Sequence, residues 1–201
     1  MRASEQQRPD VAAEREVYAE AMAQLDPTRC VFLDESGILT NMTRRYARAP
    51  IGQRAFGAAP AHWKRLTVLG ALSCDGVVAT HTVDGGTTVP AFVEFLQTAL
   101  LPVLGQRKPN AVLIMDNLST HKSKAAREAI ENAGFTVKYL PRYSPDFSPI
   151  EPCWSKIKTA LRTAAARTVE TLKAALEGAA ASVTAEDARG WFTHCGHSLV
   201  N

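Results

Sequence analysis

The pattern of hydrophobic and polar positions predicts five β-strands along the chain. A short apolar run at residues 30–33 gives way to polar residues, which indicates a buried strand that ends at a turn. Residues 66–83 are rich in β-forming side chains and carry Asp75 and Gly76 near their centre, a pair typical of a two-stranded hairpin. Residues 111–115 are wholly apolar, as in a central strand covered on both faces. A last strand is predicted over residues 135–140.

The other apolar positions recur at the spacing of helices. Residues 9–26 predict an amphipathic helix whose apolar face holds Val11, Tyr18, Met22 and Leu25. Further helices are predicted, in chain order, from Thr87 or Thr88 to residue 105, from Ser123 to Gly134, from Ile150 through Leu161, over residues 168–177 and over residues 184–192. This order of elements predicts an α/β fold, a mixed sheet flanked by helices.

Composition places the chain among ordinary globular domains. Its 201 residues are enough for one domain, and 46% hydrophobic with 21% charged residues argue against disorder and fibrous structure. No uninterrupted apolar run approaches the ~18 residues that span a bilayer, and the N-terminus is too polar for a signal peptide. We therefore expect a cytoplasmic protein with no membrane partner. The four widely separated cysteines predict reduced thiols, not disulfides or structural zinc.

Charge is distributed unevenly, although the net charge of +3 is small. Residues 1–35 carry eight acidic and four basic side chains. No acidic residue occurs between Glu35 and Asp75, a segment with six cations: Arg44, Arg45, Arg48, Arg54, Lys64 and Arg65. A basic excess of this kind suits a polyanion, and these six residues are candidate DNA contacts. A solvated basic loop is the alternative that charge alone leaves open.

Carboxylates stand at three informative positions. Asp34 and Asp116 each follow a hydrophobic strand, where a charge needs a partner or a cation. Glu151 opens the helix after the next strand, so the three side chains can converge at one end of the sheet. Converging carboxylates repel one another, and a hard divalent cation such as Mg²⁺ relieves that repulsion. Two such ions about 4 Å apart support phosphodiester chemistry.

Each carboxylate also has a purely structural interpretation. Asp34 and Asp116 could cap turns, as Asp often does after a strand. Glu151 could form a capping box with Ser148. Pro152 argues against that box, because it would occupy a position whose N–H makes a helical hydrogen bond, and proline has no N–H.

Three sequence blocks, taken together and in order, resemble the catalytic blocks of the IS630 family of transposases in the Tc1/mariner superfamily. The blocks are residues 31–37, 113–123 and 140–158. Between Asp116 and Glu151 there are 34 residues, the spacing expected of this group. The resemblance extends roughly over residues 28–195.

The resemblance implies an RNase H-like fold and a catalytic DDE triad of Asp34, Asp116 and Glu151 that binds metal. It implies two Mg²⁺ ions, with Mn²⁺ as a substitute, and DNA strand cleavage and transfer by direct transesterification without a covalent protein intermediate. The implied partner is DNA, as transposon ends and as target, bound by a homo-oligomer at the bacterial nucleoid. The chain then divides into an N-terminal connector helix at residues 1–28 and an RNase H-like DDE catalytic domain at residues 29–201.

Side chains close to the triad in sequence are further candidates. Lys158 and Arg162 follow the third carboxylate at helical spacing, which places two cations beside it for DNA binding. His121, five residues after the second carboxylate, could touch the scissile phosphate or support a ligand, although a loop histidine is more often structural. Glu35 is a weaker candidate ligand, because a continuing strand would turn it away from Asp34.

Transposases of this family carry an N-terminal helix-turn-helix region that recognises the transposon ends. About 28 residues precede the first predicted strand here, which is room for a single helix. We therefore expect a catalytic portion, active alone or with a partner chain that supplies end recognition.

Two alternatives stay open: a catalytically silent regulator that binds DNA or full-length transposase, and an RNase H-like nuclease of repair or RNA removal. The acid-free basic segment and the block at residues 140–158 favour transposition over the nuclease.

Overall fold

A computed structural model describes residues 4–198 and contains a five-stranded mixed sheet. The strands are β1 (Cys30–Leu39), β2 (Arg65–Ser73), β3 (Gly76–Asp84), β4 (Val112–Met115) and β5 (Thr136–Tyr139). Their order across the sheet is β3-β2-β1-β4-β5. The first three pair antiparallel, whereas β4 pairs parallel with both β1 and β5. This confirms the predicted mixed α/β sheet and all five strands.

Helices occupy the predicted segments. They are α1 (Pro9–Ala23), α2 (Val89–Glu94), α3 (Leu101–Arg107), α4 (Lys124–Asn132), α5 (Ile150–Ala164), α6 (Val169–Ala181) and α7 (Ala185–His194). A π-helical segment, Phe95–Leu100, joins α2 to α3, so the single predicted helix has an altered hydrogen-bond register at its centre. Pro102 follows this segment and has no N–H to donate back along the helix, which is consistent with the altered register.

Side-chain caps set where several helices begin. Thr88 Oγ1 accepts a hydrogen bond from the Ala91 amide at 3.4 Å. Ser123 Oγ accepts one from the Ala126 amide at 3.2 Å. Both caps satisfy a backbone donor that the first turn of a helix leaves free. The predicted start signals of α2 and α4 are therefore confirmed.

The first strand is longer than its sequence predicts. β1 continues past Leu33 to Leu39, because β2 pairs with it from Phe32 onward. The prediction that Asp34 ends the strand at a turn is wrong, since Asp34 lies inside β1 opposite Gly70. Neighbouring residues of a strand point to opposite faces, so Asp34 and Glu35 occupy different sides of the sheet.

Hydrophobic cores cover both faces of the sheet. One face buries Phe32 and Ile114 beneath α1, α5, α6 and α7, with Trp154 and Phe192 among the packed side chains. The other face buries Leu33 beneath α2, α3 and α4. The connector predicted at residues 1–28 packs into the first core through Tyr18 and Met22 of α1.

The segment Val89–Arg107, with 19 residues, is long and apolar enough to cross a membrane. Polar residues interrupt it, so it contains no uninterrupted apolar run of that length. Its large apolar side chains, Phe92, Phe95, Leu96, Leu100 and Leu104, are buried against the sheet. Length and composition of this kind also occur in core helices, and core packing is the role of this segment in the structure.

Candidate active site

One cavity of about 380 Å³ contains all three predicted catalytic carboxylates, Asp34, Asp116 and Glu151, in its lining. The parallel pairing of β1 with β4 brings the first two together. The pairing includes Phe32 with Ile114, and each aspartate lies two residues beyond its member of that pair. Asp116 comes directly after the last residue of β4, so this register places it beside Asp34 at the carboxyl end of that strand.

Asp34 is held by the indole of Trp154, whose Nε1 donates to Asp34 Oδ2 at 2.9 Å. The indole lies over Gly70, where an added Cβ would be 2.5 Å from the ring. A glycine is therefore required here for Trp154 to reach the carboxylate. Burial, followed by repulsion from Glu151, raises the pKa of Asp34 to about 7.

Glu151 reaches the cavity from the first turn of α5. The helix begins at Ile150 with Pro149 as N-cap and no side-chain cap, so the capping box with Ser148 is not formed. Partial desolvation raises the pKa of Glu151, Lys158 opposes this rise, and Asp116 adds to it. The pKa values of Asp34 and Glu151 are thus both raised, chiefly because burial disfavours a charged carboxylate.

Asp116 is held in a different way, by donors from its own loop. Its Oδ1 accepts hydrogen bonds from His121 Nδ1 at 2.6 Å and from the Leu118 amide at 3.0 Å. Burial alone would raise the pKa of Asp116, but these two bonds outweigh it and lower the pKa. The second ring nitrogen of His121 lies 3.2 Å from Glu35 Oε2, in a contact whose angle falls outside hydrogen-bond geometry.

His121 is buried, which does not fit its prediction as a DNA contact at the scissile phosphate. Its side chain is 1% exposed and packs against Phe92, with the ring centroids 4.5 Å apart. Burial opposes a charged imidazole, but the bond to Asp116 and the contact with Glu35 outweigh it and raise the pKa of His121 to about 9. The sequence indicated His121 as a candidate site residue but did not indicate its contact with Glu35, because the fold alone brings these two residues together.

The predicted basic residues of the β1–β2 loop are all exposed: Arg44, Arg45, Arg48, Arg54 and Lys64, with Arg65 at the start of β2. Arg44 and Arg45 line a groove of about 860 Å³ together with Arg162 and Arg167 of the α5 end. The other four lie outside that groove. Arg167 Nη1 donates to the carbonyls of Thr40 and Met42 at 3.2 and 2.9 Å, which fastens the loop to the end of α5.

Lys158 and Arg162 lie partly buried on the face of α5 that also carries Glu151. Burial lowers the pKa of Lys158, and Arg45 contributes to the same shift. Burial and then Arg45 also lower the pKa of Arg162. The structure therefore gathers Arg45, Lys158 and Arg162 into one cationic strip that starts beside Glu151.

A loop between β5 and α5, residues 140–149, forms the remaining wall of the cavity. Ion pairs fasten it to α1. Arg142 of the loop contacts Asp10 and Glu14, each at 2.8 Å. Arg15 of α1 contacts Asp146 of the loop at 2.7 Å. The sequence did not indicate this attachment, because the partners are more than 120 residues apart.

A sequence profile of DDE superfamily endonucleases matches residues 29–173. The chain belongs to the DDE superfamily endonucleases. Among curated proteins no relative matches. The family match agrees with a cavity in which two aspartates and one glutamate come from β1, from the end of β4 and from α5.

Solved structures of Mos1 transposase share the fold of this DDE protein. A Mos1 paired-end complex with the left transposon end has a TM-score of 0.75 and 21% identity, covering 99% of this chain and 60% of that one. The Mos1 mariner catalytic domain has a TM-score of 0.71 and 18% identity, covering 99% and 91%. A Mos1 paired-end complex with Mg has a TM-score of 0.72 and 18% identity, covering 99% and 63%. The fold is thus RNase H-like, as predicted, and the chain spans about 60% of the Mos1 chains in the first structures.

The three acidic side chains in the cavity of this DDE protein offer carboxylate oxygens, the ligands that a hard divalent cation prefers. Within residues 4–198 no three acidic, histidine or cysteine side chains lie close enough to hold one ion as they stand. Asp34 and Asp116 are each held by a hydrogen-bond donor instead. The triad fits a divalent metal by donor type, because all three of its side chains are carboxylates that line one cavity.

Proposed function

We propose that this chain is the catalytic part of a DDE transposase of the IS630 family, which cuts DNA strands and transfers them in a divalent-metal-dependent reaction. The observation that carries the proposal is the single cavity lined by Asp34, Asp116 and Glu151 in a chain of the DDE family. The catalytic and metal-binding roles of the three residues are predictions.

The three carboxylates would hold Mg²⁺, as two ions, with Mn²⁺ as a substitute. Bound metal would activate a water or a 3′-hydroxyl and stabilise the leaving oxygen of the phosphodiester. The Trp154 indole donates to Asp34, and His121 and the Leu118 amide donate to Asp116. Structures of Mos1 paired-end complexes with Mn and with Mg support a divalent metal for this chain as well.

The cationic strip Arg45, Lys158 and Arg162 would hold the sugar-phosphate backbone next to the cavity. Guanidinium and ammonium groups bind phosphate oxygens, and phosphate contacts position a duplex without reading its sequence. Mos1 complexes with transposon-end DNA support DNA as the ligand.

We further propose a homo-oligomer in the bacterial cytoplasm at the nucleoid, with end recognition supplied by a region or partner chain outside these residues.

Nicking of supercoiled plasmid tests the proposal. The wild-type chain should nick in Mg²⁺ and in Mn²⁺, and Asp116→Asn and Glu151→Gln should each lower the rate by at least about 100-fold, because each removes a metal-binding charge. Asp84→Asn and Glu177→Gln make the same chemical changes at exposed positions outside the cavity and should retain the wild-type rate.

Nicking that survives both triad substitutions would contradict the proposal. Absence of nicking by the wild-type chain, with binding to a full-length relative retained by Asp116→Asn, would instead favour the silent regulator.

A further inference from the structure

We propose that His121, supported by Glu35, is a positioning residue that orients Asp116 for metal binding. This inference rests on the proposed function, because it assigns Asp116 as a metal ligand. Neither Glu35 nor His121 lines the cavity, so both act through Asp116 and touch neither metal nor DNA.

The hydrogen bonds of Asp116 give its two oxygens different tasks. Oδ1 receives the His121 Nδ1 bond at 2.6 Å and the Leu118 amide bond at 3.0 Å. Oδ2 accepts no hydrogen bond from residues 4–198. With Oδ1 saturated by two donors, the carboxylate cannot rotate freely, and Oδ2 is the oxygen left available as a ligand.

His121 also joins the two strands that carry the aspartates. Glu35 follows Asp34 on β1, and its Oε2 lies 3.2 Å from His121 Nε2. The imidazole thus spans from β1 to the loop after β4, on the face of the sheet opposite Asp34. Its position is further restrained by the Phe92 ring at 4.5 Å and by Tyr139, whose hydroxyl donates to the His121 carbonyl at 3.3 Å.

Two substitutions at His121 separate its contacts. In His121→Asn the amide nitrogen takes the place of Nδ1, so the donor to Asp116 is kept and the contact with Glu35 is lost. In His121→Gln the amide nitrogen takes the place of Nε2, so the donor to Asp116 is lost. Both variants remove the ring from a buried site. Ile130→Val, in the same core, is the control for mild core destabilisation.

Mn²⁺ binding to the chain without DNA, measured by electron paramagnetic resonance, tests the inference. We expect His121→Gln to weaken binding by about 10- to 100-fold, the usual effect of losing a group that orients a ligand. His121→Asn should restore most of that affinity, and Ile130→Val should match wild type. Equal affinity of His121→Gln and Ile130→Val, with both folded, would overturn the inference.

Hydrogen exchange of the Leu118 amide in metal-free protein keeps this inference separate from the proposed function. Faster exchange in His121→Gln than in His121→Asn is expected, because a loosened Asp116 no longer accepts the Leu118 bond. Equal exchange in the two variants would overturn the positioning role. If Mn²⁺ fails to bind wild type, the proposed function fails, and the amide result still decides whether His121 orients Asp116.

Discussion

Asp34 has a raised pKa even though a side-chain donor binds its carboxylate. The Trp154 indole donates to it, whereas burial and the charge of Glu151 disfavour its ionised form and together raise its pKa to about 7. Asp116 has a lowered pKa because His121 and the Leu118 amide bind its charge. Neighbouring aspartates with different donors therefore have opposite pKa shifts, and in the metal-free protein Asp34 carries the stronger electrostatic penalty.

This difference predicts how stability depends on pH in Asp34→Asn. Folding raises the pKa of Asp34 from 3.8 to about 7, so the folded state binds its proton more tightly and loses stability as pH rises through that window. Asparagine has no proton to lose. Relative to wild type, Asp34→Asn should therefore gain on the order of 4 kcal/mol in unfolding free energy between about pH 4 and pH 8.

Urea denaturation in chelator at both pH values measures the gain. The raised pKa of His121 affects wild type and variant alike, so it cancels in the comparison. Asp84→Asn, at an exposed position, is the matched control and should follow the wild-type pH dependence. A gain for Asp34→Asn no larger than for this control would show that the site tolerates the ionised carboxylate.

α5 is the element that combines acidic and basic chemistry. Its apolar stripe, including Trp154 and Ile157, packs on the sheet, which fixes the rotation of the helix about its axis. That rotation directs Glu151 into the cavity and leaves Lys158 and Arg162 beside it. Arg167 attaches the basic loop to the end of α5, which brings Arg45 to the same strip.

Arg162→Gln should weaken DNA binding through lost phosphate contact. Binding of a random-sequence duplex in chelator should weaken, and the slope of log affinity against log salt concentration should fall by about 1, since one fewer counterion is released. Lys173→Gln, an exposed cation of α6 outside the groove, is the control. Fluorescence anisotropy over a salt series gives both quantities, and an unchanged slope would exclude Arg162 from the DNA path.

Across the whole molecule, α1 connects the N-terminal part of the chain to the cavity. Tyr18 of α1 stacks on Phe147 of the cavity loop, with the ring centroids 5.4 Å apart. Arg15 contacts Asp146 and Ser144 of the same loop, and its guanidinium lies 4.2 Å from the Phe147 ring centroid. A displacement of α1 would therefore be transmitted to the wall of the cavity that holds the three carboxylates.

Arg15→Gln should loosen the cavity loop without unfolding the sheet. The variant loses the two hydrogen bonds from Arg15 to Asp146. In a partly exposed site this should lower the free energy of opening the loop by about 1 kcal/mol. Amides of residues 142–148 should therefore exchange roughly fivefold faster. Glu16→Gln on the exposed face of α1 is the control. Hydrogen exchange with mass spectrometry measures the change, and unaltered loop exchange would show that α1 does not restrain the loop.

Local patterns were sufficient to predict the strands, the helix caps at Thr88 and Ser123, and the convergence of three carboxylates on one cavity. They failed at Asp34, where the polar residues after Leu33 indicated a turn. β2 overrides that signal, because its pairing satisfies the backbone of β1 through Leu39. The roles considered for His121, contact with the scissile phosphate or support of a ligand, could not be separated for a similar reason, since its sequence neighbours do not include the buried partner Glu35.

The sequence by itself determined the element order and the DDE superfamily, and it predicted three acidic residues as the triad, because hydrophobic periodicity and short blocks are local properties of the chain. Only the tertiary structure decided how those residues are held. Residues distant in sequence meet in the Trp154 bond to Asp34, in the packing of Trp154 over Gly70, in the contact of Glu35 with His121 and in the attachment of α1 to the cavity loop. Such contacts depend on packing between elements, and spacing along one element carries no information about them.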